Sequence, residues 1–65
     1  MKLDMKKVEI LKARNKLSIA DMAERYGVSR ARMNVILGQR EVTALTAVRL
    51  AEALGVDVTE ILSEE

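Results

Sequence analysis

Four residues near the middle of the chain, Arg30, Ala31, Asn34 and Val35, share the outer side of one predicted helix. Their types suit the edge of a nucleic-acid base. An arginine can grip guanine O6 and N7 with both arms. An asparagine can match adenine N6 and N7, and alanine or valine can touch a thymine methyl group. Met33 and Ile36 of the same segment stand three apart and face inward, which turns the four outward and leaves Arg32 at the margin. A solvated helix surface, or a phosphate contact without base reading, is the plainer alternative for both arginines. Arg30 is assigned to a base and Arg32 to a phosphate. For Asn34 two readings stand side by side, a base contact and a solvent-facing polar residue.

Such residues need a frame, and residues 19–38, IADMAERYGVSRARMNVILG, describe one. Two helices that cross steeply require a small residue where they touch, and Ala23 supplies it. The turn between them requires a residue that tolerates a left-handed backbone, and Gly27 supplies that. Met22, Tyr26, Val28, Met33 and Ile36 fall where both inner faces must be apolar. The spacing predicts a helix-turn-helix over residues 18–37. Ser18 caps its first helix, with Asp21 completing a capping-box-like arrangement, and Ser29 caps its second.

The flanking segments extend the pattern. A first helix is predicted from Met5 to Asn15, with Val8 and Leu11 on its inner face, Ile10 beside them and Leu17 anchoring the next corner. Residues 38–42 form a loop. Thr43 caps a fourth helix over Ala44 to Leu54, in which Ala47, Leu50, Ala51 and Leu54 make one buried stripe. Gly55 ends it, and Asp57 with Glu60 opens a short fifth helix through Leu62. The expectation is an all-α, compact bundle of five short helices forming a single domain over residues 1–65.

Composition narrows the function. The 65 residues contain no Cys and no His, which excludes disulfides, the usual zinc sites and imidazole-assisted catalysis. A chain this short rarely encloses a substrate pocket of about 300 Å³ or more, so it is read as not an enzyme, with no cofactor, metal or small-molecule ligand expected. No apolar run approaches the roughly 20 residues of a membrane span. MKLDMKK lacks the apolar segment of a signal peptide, so a cytoplasmic or nucleoid-associated location is expected. Tyr26 is the sole aromatic, which argues against modules that stack bases on aromatic rings.

Charge is divided unevenly along the chain. Residues 1–40 carry ten Lys and Arg against four Asp and Glu, whereas residues 41–65 carry one against six. A basic end that holds the helix-turn-helix is the footprint of phosphate binding, although Lys2, Lys6 and Lys7 have a plainer reading as solubilisers of a frayed terminus. Phosphate contacts are expected at helix N-termini, where free N–H groups meet the positive end of the dipole. Ser18, Ser29 and Thr43 are placed for that, with Arg32, Arg40 and Arg14 as basic partners. Arg40 is the leading candidate. For Lys16, simple solubility is preferred. Leu45 and Val48 lie off the centre of the fourth helix's stripe, and Val56, Val58, Ile61 and Leu62 add more apolar area at the acidic end than one short helix needs. Two readings stand for that surplus, core of the monomer or surface of a dimer.

The segments LSIADMAERYGVSR and AVRLAEALGV carry a resemblance to the phage repressor/Cro-type (XRE) helix-turn-helix family, from about Val8 to Leu62. SRARMNVILGQREVT is also similar to the antitoxin branch of that family. The resemblance implies a lambda-repressor-like DNA-binding fold, with base-reading positions at Arg30, Ala31, Asn34 and Val35. It also implies homodimers that pair through the acidic end. The expected function is sequence-specific binding of double-stranded DNA by a small transcriptional regulator, a repressor acting as a dimer on a palindromic operator. The alternative is a protein-interaction module, an antitoxin or partner of a larger regulator, binding through Ile19, Leu37, Val42, Leu45 and Ile61.

Three departures from the family pattern accompany the resemblance. Ile19 stands where the second helix commonly begins with Gln, and there it would be an unexpectedly exposed apolar residue. Leu37 and Lys12 occupy the positions of an ion pair seen in relatives. The GQREV loop is one residue shorter than its antitoxin-like counterpart.

Overall fold

The computed structural model describes residues 1–64, which hold four helices and one 3-10 turn. The helices are α1 (Met5–Arg14), α2 (Ile19–Tyr26), α3 (Arg30–Leu37) and α4 (Ala44–Leu54), and the 3-10 turn is Val58–Glu60. Each helix starts where a side chain can accept from otherwise unpaired N–H groups. Asp4 accepts from the N–H groups of Lys6 and Lys7, both at 3.1 Å. Ser18 and Asp21 form a reciprocal capping box. Ser29 accepts from the Arg32 N–H at 3.1 Å, and Thr43 from the Thr46 N–H at 3.2 Å.

The inner faces follow the apolar spacing. Met22, Met33, Leu50, Leu54 and Ile61 are fully buried, and Ala23 is buried on the inner face of α2. Val8 and Leu11 of α1 join this core, and Leu17 fills the corner after it. The expected stripe on α4 is buried throughout. Among the described residues, no buried side-chain nitrogen or oxygen lacks a hydrogen-bond partner.

One expected element is shorter than its spacing suggested, and the alternative reading of the N-terminal lysines loses its premise. The fifth helix is only the 3-10 turn, although its Asp57–Glu60 capping box forms as predicted. It stops because Leu62 and Ser63 are drawn into extended pairing instead: Leu62 bridges Leu3 in antiparallel fashion, and the Ser63 N–H donates to the Lys2 carbonyl at 2.9 Å. For the same reason the N-terminus is not frayed. Lys2 bridges Glu41 on the opposite side, and Leu3 is only 5 % exposed. Residues 1–4 thus run as an extended strap between the α3–α4 loop and the C-terminal segment.

Candidate nucleic-acid interface

α3 divides cleanly into two faces. Met33 is 0 % exposed and Ile36 is 4 % exposed. Arg30, Ala31, Arg32, Asn34 and Val35 are all exposed, and Val35, at 52 %, is among the most exposed large apolar residues of the described chain. The candidate base-reading set therefore shares one outward surface, with Arg32 exposed beside it.

The turn that presents this surface is tightly held. Gly27 adopts φ 90°, and its N–H and that of Val28 both reach the Ala23 carbonyl, at 2.8 and 3.0 Å. α4 braces the same turn. Arg49 donates from Nη2 to the Tyr26 carbonyl at 3.1 Å. In the reverse direction Arg25 of α2 donates from Nη1 to the Ala53 carbonyl at 3.3 Å, and Asn15 donates from Nδ2 to the Leu54 carbonyl at 2.8 Å. These three side chains satisfy carbonyls at helix C-termini, which would otherwise lack partners. Sequence reasoning missed them. The available signal was a polar residue near a helix end, but Arg25 and Asn15 both serve the end of α4 and Arg49 serves the end of α2, none of them its own helix, which linear spacing does not reveal.

The candidate phosphate contacts lie at unequal helix ends. At α2 the Asp21 carboxylate already accepts the Ser18 N–H at 2.9 Å. That bond and the Ser18 hydroxyl, with the Arg25 charge as a lesser contributor, hold the Asp21 carboxyl below the usual aspartate range against the opposing effect of desolvation. The positive end of α2 is thus partly neutralised by its own acid. The first turns of α3 and α4 contain no acidic residue, and their caps Ser29 and Thr43 are exposed hydroxyls. Arg40 is exposed in the loop just before Thr43, and Arg14 is exposed at the end of α1.

The apolar surplus at the acidic end is mostly consumed inside the chain. Ile61, named as a dimer residue, is 0 % exposed and offers no surface to a partner. It closes the core behind α4, and its carbonyl accepts the Asp4 N–H at 2.8 Å. Val56, Val58 and Leu62 are half-buried against that core. Leu45 is different: it is 69 % exposed, and Val48 lies one turn further along α4 at 41 %. The alternative binding face is likewise dismantled. Val42 is buried, and Ile19 and Leu37 pack partly on the chain's own core, so Ile19 is not the exposed apolar residue expected. Lys12 lies 3.9 Å from Glu9 within α1.

Residues 8–65 match the Cro/C1-type HTH DNA-binding domain family, and the chain belongs to that family. It is a helix-turn-helix domain that binds double-stranded DNA, a family typically without enzymatic activity. No curated protein and no solved structure matches the chain. Among the described residues no helix is long and apolar enough to cross a membrane.

Proposed function

We propose that this protein is a small transcriptional regulator that binds a palindromic operator as a homodimer, with α3 in the major groove, and represses by occluding a promoter. The observation that carries this reading is the outward face of α3, where Arg30, Ala31, Asn34 and Val35 are exposed together while Met33 and Ile36 anchor the helix from behind. Arg30 grips a guanine, Asn34 an adenine, and Ala31 and Val35 meet thymine methyl groups. Arg32 contacts phosphate at the margin. Action in the cytoplasm, at the nucleoid, accompanies this role.

Phosphate contacts on both flanks fix the register. Arg40 and Thr43 at the start of α4 form the principal anchor, since no carboxylate in that first turn opposes an approaching phosphate. Ser29 serves α3 in the same way. Ser18 is the weaker anchor because Asp21 shares its helix end, and Arg14 contributes at long range.

Dimerisation is supported by the exposed pair Leu45 and Val48 on α4, while Val56, Val58 and Leu62, half-buried against the chain's own core, offer less surface. One module of this size buries only about 600–1,000 Å² on DNA, so two copies on half-sites one helical turn apart gain affinity and recognised length. The protein-interaction alternative, with a toxin or larger regulator as partner, keeps only Leu45 as an exposed member of its proposed face.

Selection of bound DNA from a random pool at moderate salt tests the proposal. A two-fold symmetric site with half-sites about 10 bp apart is expected. Recovery of no motif, at concentrations where non-specific binding saturates, means that α3 does not read bases.

A further inference from the structure

The strap formed by residues 1–4 lies directly against the loop that carries Arg40. The Leu3 N–H donates to the Arg40 carbonyl at 2.7 Å, and the Val42 N–H donates to the Met1 carbonyl at 2.9 Å. These two bonds flank the Lys2–Glu41 bridge and clamp the loop backbone on both sides of Glu41. The strap is itself held on its other edge, where Asp4 donates to the Ile61 carbonyl at 2.8 Å and Ser63 to the Lys2 carbonyl at 2.9 Å. Leu3 is the pin of the arrangement, with its side chain buried in the same core as Val42 and Ile61.

We infer that Leu3 is a positioning residue for DNA binding, which sets the loop backbone at Arg40 so that its exposed guanidinium is pre-aligned for phosphate. The inference rests on the reading of Arg40 as a phosphate contact. Its physical basis is the cost of ordering a loop on binding. A loop already held in its bound conformation loses less freedom when the ligand arrives, and affinity rises with no new contact. The exposed Arg40 side chain sits on a peptide whose carbonyl is fixed by a neighbour 37 positions away in sequence. Without Leu3 in the core, that peptide loses its partner to water and Arg40 samples a wider range of positions. The strap acts only through the loop: it does not belong to the helix-turn-helix, and α3 is anchored independently by Met33 and Ile36.

A double-mutant cycle tests this. DNA affinity is measured across a salt series for the full chain, Leu3→Ala, Arg40→Ala and the double variant, at a temperature where all four retain equal helix content. Leu3→Ala is expected to reproduce most of the fold-loss of Arg40→Ala, to lower the salt slope by about 1 as Arg40→Ala does, and to cost nothing further in the Arg40→Ala background. Leu3→Met, which conserves volume, should restore binding. Should Leu3→Ala not fold, Leu3→Val enters the same cycle. Additive losses, or an unchanged salt slope in the Leu3 variant, overturn the inference while leaving Arg40 as a phosphate contact. If Arg40→Ala itself changes neither affinity nor slope, the reading of Arg40 falls and the inference falls with it.

Discussion

Arg49 lies over Tyr26, its guanidinium carbon 4.4 Å from the ring centre, and donates to the Tyr26 carbonyl at 3.1 Å. One side chain of α4 therefore grips both the ring and the backbone of the last residue of α2. The next residue is Gly27, where the chain turns toward α3, so the relationship braces the turn that presents the reading helix. A planar guanidinium can stack and donate at once, and an ammonium cannot do both with the same geometry. Arg49→Ala is expected to cost about 1 kcal/mol of stability, given that a cation–π contact at an exposed site is worth roughly 0.5–1 kcal/mol and the hydrogen bond adds to it. Arg49→Lys should recover less than half of that in urea unfolding. A lysine variant as stable as the parent would show that the stacking and fork geometry are idle.

Backbone handedness gives a paired prediction. Gly27 adopts φ 90°, and a Cβ built there meets nothing within 4 Å. Any penalty of Gly27→Ala must therefore come from the left-handed backbone itself, about 1–2 kcal/mol. Lys16 is the converse case, a residue with a Cβ at φ 55°. It closes α1 by donating to the Ala13 carbonyl at 3.0 Å while Leu17 donates to Lys12 at 2.9 Å, the bonding pattern in which glycine is favoured. Lys16→Gly should stabilise by up to about 1 kcal/mol, because relief of strain outweighs the greater freedom of glycine in the unfolded chain. Thermal unfolding of both variants decides it: shifts of the same sign would break the argument.

The helices and their caps were legible because both signals are local. Ser18, Ser29 and Thr43 each precede an apolar repeat by the spacing that a helix start imposes, and the structure keeps all three as caps. The outward face of α3 followed from the inward pair Met33 and Ile36 by helical geometry alone. What linear spacing did not reveal was long-range. Leu62 has the pattern of a helical residue after the Asp57–Glu60 box, yet it pairs with Leu3, some 59 positions away, and the helix ends. Arg25 reads as a solvated helix residue until α4 brings the Ala53 carbonyl within reach. The fate of Ile61 was equally open, since an apolar residue near a chain end suits a core and an interface equally well.

Base reading and phosphate anchoring make different signatures, which separates Arg30 from Arg40. Arg30→Ala should cost about 1–3 kcal/mol on the selected site and relax preference at the base pair it grips, with little loss on random DNA. Arg40→Ala should weaken binding to selected and random DNA alike and reduce the salt slope by about 1. Competition titrations with both duplexes at several salt concentrations give all four quantities. An Arg30→Ala variant that weakens both duplexes equally would move Arg30 to the phosphate set.

The capping box of α2 carries a pH signature of known sign. The Ser18 N–H and hydroxyl, with the Arg25 charge behind them, hold the Asp21 carboxyl below the usual aspartate range. The folded chain thus binds this proton less readily than the unfolded chain, and the carboxylate contributes to stability only where it is ionised. That contribution is complete above the usual aspartate range and is lost as pH falls through it toward the lower folded value. Asp57, held down mainly by the Thr59 hydroxyl, follows the same course at the 3-10 turn. Asp21→Asn removes the charge at every pH. It should destabilise the protein at pH 7, and the gap between variant and parent should narrow as the buffer is taken to about pH 3, below the aspartate range. Thermal unfolding of the two proteins over that interval measures the gap directly, while the acid sensitivity of the other carboxylates cancels between them. A gap that stays constant with pH would mean that the Asp21 charge does not stabilise the start of α2.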